Sequence, residues 1–124
     1  MLCRGIRGAI TIETNQADSI IQASQMLLEK ITLANHLSVD DIAGVFFTCT
    51  DDLDAAYPAV GARQLGWSHT PLLCMQEMRV TGSLPRCLRV LILWNTDLPA
   101  EQIRHIYLGE ARQLRPDLQE ESEL

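Results

Sequence analysis

The sequence predicts one compact α/β unit, and three observations carry that expectation. Residues 2–12 alternate with a period of two, Ile20 to Ile31 repeat apolar residues at spacings of three and four, and Arg86 to Trp94 is a run of strand-forming side chains. At 124 residues the chain can bury a core of its own, yet it is small enough for association between copies to help. A hydrophobic fraction of 47% and a mean hydropathy near zero suit a globular protein, and no apolar run approaches the roughly 20 residues that a membrane span needs. The amino terminus reads as a strand rather than a signal peptide, which predicts a cytoplasmic protein.

In the first strand, Ile6, Gly8, Ile10 and Ile12 are expected to face the core. Arg7 then projects from the opposite face among Cys3, Gly5, Ala9 and Thr11, small residues that leave space beside it. Asn15 is placed to cap a helix whose stripe is Ile20, Ile21, Ser24, Leu27, Leu28 and Ile31, ending near Asn35. Ser38-Val39-Asp40-Asp41 predicts a capped turn, and Gly44 to Thr50 a second strand. The loop Asp51-Asp52-Leu53-Asp54 lacks the glycine and terminal glutamate of an EF-hand, so it reads as a solvated loop rather than a metal site.

Pro58 suits the first turn of a short helix carrying Arg63, with Gly66 as its stop. Leu72 to Val80 and Arg86 to Trp94 flank Thr81-Gly82-Ser83-Leu84-Pro85, which predicts an antiparallel pair joined by a turn. Pro99 opens another short helix, His105 to Leu108 forms a last short strand, and the acidic end 119–124 is expected to be mobile. No repeat or linker divides the chain, so residues 1–118 are expected to form a single domain.

A net charge of −6 argues against a nucleic-acid surface. Lys30 is the one lysine beside nine arginines, a bias that carboxylate recognition by the planar fork and GC-rich codon usage would each produce. Cys3, Cys49, Cys74 and Cys87 are widely spaced and form no C-x-x-C pair, which argues against zinc and against a disulfide framework. His36, His69 and His105 show no metal-ligand spacing and read as surface or capping residues. No phosphate loop or serine elbow is present.

Arg89 stands out because strict alternation sets it on one face with Cys87, Leu91 and Leu93, an apolar setting in which a guanidinium needs an anionic partner. Glu77, across the proposed turn, is such a partner, either as a structural ion pair or as part of a binding site. Arg7 favours a site, since two arginines facing a common space are best neutralised by a ligand with two carboxylates. Tyr107 can add a hydroxyl, and Arg63 and Arg115 lie where they can close over a ligand. Cys74 reads as a small buried hydrophobe, and alternation puts it on the face opposite Glu77 unless a bulge intervenes.

Arg4-Gly5-Ile6-Arg7-Gly8-Ala9, Cys74-Met75-Gln76-Glu77-Met78, Arg86-Cys87-Leu88-Arg89-Val90, Ile103-Arg104-His105-Ile106-Tyr107-Leu108 and Leu114-Arg115-Pro116-Asp117-Leu118 follow one another in a recognisable order. Together they resemble the monofunctional chorismate mutases of the trimeric pseudo-α/β-barrel type (AroH class), over residues 2–118. The resemblance implies an α+β fold: a mixed sheet of about five strands packed on one long helix, three subunits forming a barrel-like core, and active sites in clefts between subunits. It further implies that Arg7, Glu77, Arg89 and Tyr107 line one side of the cleft with Cys74 nearby. Tyr57 and Arg63 come from the adjacent subunit, and Leu114 and Arg115 belong to a carboxy-terminal segment that folds toward the ligand.

The activity so implied is the isomerisation of chorismate to prephenate, in the biosynthesis of phenylalanine and tyrosine. It is an intramolecular Claisen rearrangement that needs no metal, cofactor, nucleophile or general base. What it needs is a substrate held in its compact conformer and stabilisation of negative charge on the breaking ether oxygen. The resemblance gives Arg89 to that oxygen and to a carboxylate, Arg7 and Tyr107 to a carboxylate, and Glu77, assisted by Cys74, to the ring hydroxyl. A trimeric imine or enamine deaminase of related architecture, or a non-catalytic sensor of an acidic metabolite, are the alternative readings.

Overall fold

Alternation over Leu2–Thr11 produces β1, in which Ile6, Gly8 and Ile10 are buried under the first helix. This computed structural model describes residues 1–117; the acidic tail 119–124 lies outside them. Helix α1, Ala17–Asn35, buries Ile20, Ser24, Leu27, Leu28 and Ile31, and each large apolar side chain among these contributes about 1.5–3 kcal/mol. The fit is closest at Gly8, where an added Cβ would stand 2.8 Å from Ile31 Cδ1 and 3.2 Å from Leu27 Cδ1.

The start of α1 differs from the expectation. Gln16, not Asn15, precedes its first turn, and no side chain caps it. Asn15 is drawn away by the acidic loop: its Oδ1 accepts the N–H groups of Asp54 and Ala55 at 3.0 and 3.2 Å, and its Nδ2 donates to Asp54 Oδ1 at 2.7 Å. At the other end, buried Asn35 clips the later chain in place, accepting the Arg104 N–H at 2.9 Å and donating to the Arg104 carbonyl at 3.0 Å. The turn Val39–Asp41 is a 3₁₀ turn without a side-chain bond from Ser38.

Strand β2, Ile42–Cys49, leads through helix α2, Ala59–Gln64, to β3, Leu72–Gln76. This strand–helix–strand unit lays β3 parallel to β2. Helix α2 packs on α1 at Gly61, where a Cβ would meet the Ile21 carbonyl oxygen and Ser24 Oγ, each at 2.9 Å. Strand β4, Cys87–Thr96, runs antiparallel to both β1 and β2, and β5, Ile106–Leu108, runs parallel to β1. The result is a mixed five-stranded sheet in the order β3-β2-β4-β1-β5, an α+β fold with its helices on one face. Among the described residues no helix is long and apolar enough to cross a membrane.

Two expectations about the later strands are corrected. The hairpin between Leu72–Val80 and Arg86–Trp94 does not form: β3 stops at Gln76, and β2 lies between β3 and β4. The turn residues 81–85 do reverse the chain, but Asp52 directs where it goes next, accepting the Arg86 N–H at 2.9 Å from beyond the end of β2. Arg89 also lies on the face away from the core. Leu88, Val90, Ile92 and Trp94 are the buried set, whereas the Arg89 side chain is 46% exposed and Leu91 is 39% exposed.

Candidate active site

Strand register builds the site. On the sheet face opposite the helices, Met75 of β3, Thr48 of β2, Arg89 of β4, Ala9 of β1 and Tyr107 of β5 stand in one row. The next row carries Leu73, Phe46, Leu91 and Arg7. Every strand thus contributes to one surface, and Ala9 beside Arg89 leaves the guanidinium room. A cavity of about 530 Å³ opens there, lined by Arg7, Phe46, Thr48, Glu77, Arg89, Leu91 and Tyr107 among others.

Glu77 reaches this row from just past the end of β3. Its N–H donates to the Cys49 carbonyl at 2.8 Å, which continues the β2–β3 pairing by one step. The carboxylate then turns back over the sheet: Thr48 Oγ1 donates to Oε1 at 2.5 Å, and Arg89 Nη1 stands 3.5 Å from Oε2. That ion pair is long and half in water, so it contributes little to stability, about 0–1 kcal/mol. The guanidinium keeps further donors beyond Nη1, and Arg89 lines the cavity.

Arg7 projects from the neighbouring row, and among the described residues its side chain has no hydrogen bond or ion pair. Its backbone N–H donates to His105 Nδ1 at 2.9 Å. Tyr107 is buried beneath Leu114, against Ala9, Cys87 and Ala111. Leu114 closes the 3₁₀ helix Gly109–Leu114, and Arg115 follows it within electrostatic reach of Tyr107, making a two-point ion pair with Asp117 at 2.7 and 3.0 Å. That bond raises the affinity of Arg115 for its proton and holds the Asp117 carboxyl below its ordinary value.

Four residues singled out from the sequence, Arg7, Glu77, Arg89 and Tyr107, therefore meet in one cavity, with Leu114 and Arg115 beside it. Cys74, Tyr57 and Arg63 do not join them. Alternation along β3 holds without a bulge, so Cys74 turns toward α2, while Met75 borders both spaces. Cys74 and Tyr57 line a second cavity of about 510 Å³ with Asp51, Asp54 and Pro58. Arg63, in the last turn of α2, acts on Cys74 by its charge. Cys74 thus does not assist Glu77 within one chain.

Two contributors have no sequence signature. Thr48 holds Glu77, and His105 holds the backbone of Arg7; each acts through a single hydrogen bond, which leaves no periodic trace. His105 is a partly buried acceptor, not the surface or capping residue expected. Burial disfavours the thiolate at three of the cysteines: it pushes Cys49 up to about 12 and Cys87 to about 11, and raises Cys74 as well. What remains is two guanidinium groups, one carboxylate and a phenol around an apolar floor of Phe46 and Leu91. That arrangement suits a small dianion held still, with charge stabilised on an oxygen between the arginines.

The family model described as chorismate mutase type I matches residues 3–118. The chain is 52% identical over 119 residues to chorismate mutase AroH of Thermus thermophilus, covering 95% of this chain and 98% of that protein. It is 47% identical over 119 residues to chorismate mutase AroH of Bacillus subtilis (strain 168), covering 95% and 94%. The solved structure of a chorismate mutase from Clostridium thermocellum superposes with a TM-score of 0.87 at 47% identity, over 88% of this chain and 97% of that one.

Proposed function

The chain belongs to the chorismate mutase type I family and isomerises chorismate to prephenate; we propose that Arg89 and Glu77 carry this reaction in the cavity on the open sheet face. The observation that supports these roles is the convergence of Arg7, Arg89, Glu77 and Tyr107 over one apolar floor. In the rearrangement one C–O bond breaks as one C–C bond forms, within a single molecule. Electron density gathers on the departing ether oxygen, and nothing is protonated or captured.

Arg89 serves that oxygen and a substrate carboxylate at once, because its donors lie in a fixed plane. Arg7 and Tyr107 bind a carboxylate. Glu77 accepts the hydrogen bond of the ring hydroxyl through lone pairs that Thr48 and Arg89 leave open, and its charge offsets the positive character of the cyclohexadienyl fragment. Holding the reactive conformer and stabilising that oxygen are the two contributions the reaction needs. Leu114 and Arg115 close over the ligand from the rim.

Three chains associate through the open sheet face in this reading. Leu73, Met75 and Leu91 are exposed there in the single chain, at 52%, 44% and 39%, and apolar groups on an uncovered sheet favour a partner. Association also gives the second cavity a purpose: Tyr57, Cys74 and Arg63 of one subunit face the Arg89 cavity of the next. Cys74 then assists Glu77 across the interface, from the same side as Tyr57 and Arg63.

The test is the loss of chorismate absorbance on adding purified protein, with prephenate identified by its acid conversion to phenylpyruvate. Saturable turnover that disappears in Arg89→Ala supports the assignment. Turnover retained in that folded variant removes Arg89 from its role.

A further inference from the structure

We propose that His105 is a positioning residue for Arg7, seating it for the substrate carboxylate through an unprotonated Nδ1. The inference rests on the reading that Arg7 grips that carboxylate. Parallel pairing of β1 with β5 begins at Gly8 opposite Ile106, so the Arg7 N–H lies one position outside the paired stretch. The imidazole substitutes for a backbone acceptor there, at 2.9 Å, and extends the support of β1 to the residue that carries the guanidinium. Strand β4 holds β1 on the other side, with Leu91 opposite Arg7, so without the imidazole it is the β5-facing N–H of Arg7 that would lose its acceptor.

A ring nitrogen accepts a hydrogen bond only when it carries no proton, so the proton of neutral His105 resides on Nε2. The surroundings keep it neutral. His105 is half-buried, and two cationic groups face it from other segments: Arg7 on β1 and Arg115 beyond the 3₁₀ helix. Burial first, then these charges, push it down to about 4. A proton added to this ring would remove the acceptor from Arg7 and place a third positive charge beside two arginines. The loop that presents the ring is fixed independently by the Asn35–Arg104 bonds, so His105 approaches Arg7 from a braced position.

The test compares steady-state kcat and KM of the intact enzyme with those of Arg7→Ala, His105→Ala and His105→Asn. His105→Ala should raise KM about fivefold, the effect of one lost hydrogen bond, with kcat within about twofold. His105→Asn carries an amide oxygen near the place of Nδ1 and should restore KM. As the pH falls toward 4, KM of the natural enzyme should rise more steeply than that of His105→Asn, whose acceptor cannot be protonated. An unchanged KM in His105→Ala, alongside a raised KM in Arg7→Ala, overturns the role of His105 alone. An unchanged KM in Arg7→Ala overturns the reading of the site. Should His105→Ala fail to fold, equal acid sensitivity in the natural enzyme and His105→Asn overturns the proposal.

Discussion

Glu77 and Arg89 meet at 3.5 Å across a strand that carries neither of them. Thr48, on that intervening strand, stands opposite Arg89 and donates to Glu77. The three side chains form one unit, so a change in any of them moves the charge pattern of the whole cavity.

Arg89→Lys keeps the charge and discards the fork. Turnover should fall by roughly 10²- to 10³-fold, the usual loss when one preorganised donor is removed. Near-normal kcat in a folded Arg89→Lys variant would contradict the role assigned to its planar geometry.

Thr48→Val keeps the shape and removes the hydroxyl that holds Glu77 Oε1. The expected outcome is a fall in kcat/KM of about 10-fold, the scale of one hydrogen bond to a charged group, with Thr48→Ser close to the natural enzyme. Equal activities in the Val and Ser variants would show that Glu77 needs no such support.

Stability should decline on acidification through the range set by His105. Its pKa lies below the ordinary 6.5 in the folded state, at about 4, so the unfolded chain binds the proton first. Its contribution is therefore complete above about 6.5 and is lost as the pH falls toward 4. Urea unfolding midpoints measured across that range should fall more for the natural protein than for His105→Asn; parallel curves would argue against it. Since this imidazole stays neutral at pH 7, turnover should be nearly flat around neutrality.

Gly61→Ala should weaken the junction of the two helices. The new Cβ meets the Ile21 carbonyl oxygen, a backbone atom inside α1 that has no room to retreat. A loss of about 1–3 kcal/mol is expected from such overpacking, read as a lower melting temperature with chorismate turnover retained at 25 °C. An unaltered melting temperature would mean that the helices separate without strain.

Leu73→Glu places a charge on the exposed apolar face of β3 without touching the Arg89 cavity of its own chain. Sedimentation equilibrium should show association lost, and activity should fall with it. Unchanged association in this variant would move the proposed interface to another surface.

Much of this was readable in the residues, and the failures share a cause. Alternation in β1 and the three- and four-residue spacing in α1 are local signals, and both elements form where those signals lie. The turn Thr81 to Pro85 announced a reversal but not a partner, because β3 pairs according to the α2 crossover before it. Alternation puts Arg89 on one face with Leu91 and Leu93, as it reads in the sequence, but that face is the one a single chain leaves open rather than the core. Asn15 had the right residue type for a cap, yet the loop at Asp54 offered it more bonds. Thr48 and His105 became visible only once the register was known.

The parallel pairing of β1 with β5 joins a strand made early in translation to one made near the end of the described chain. A growing polypeptide can fold β1, β2 and β4 together and still present a bare β1 edge, the kind of edge that recruits foreign strands. Ile106–Leu108 covers that edge from Gly8 to Ile10 and delivers Tyr107 in the same event. A product that stops before this point leaves that stretch of β1 bare and carries no Tyr107, so turnover is expected to report that the last strand has docked.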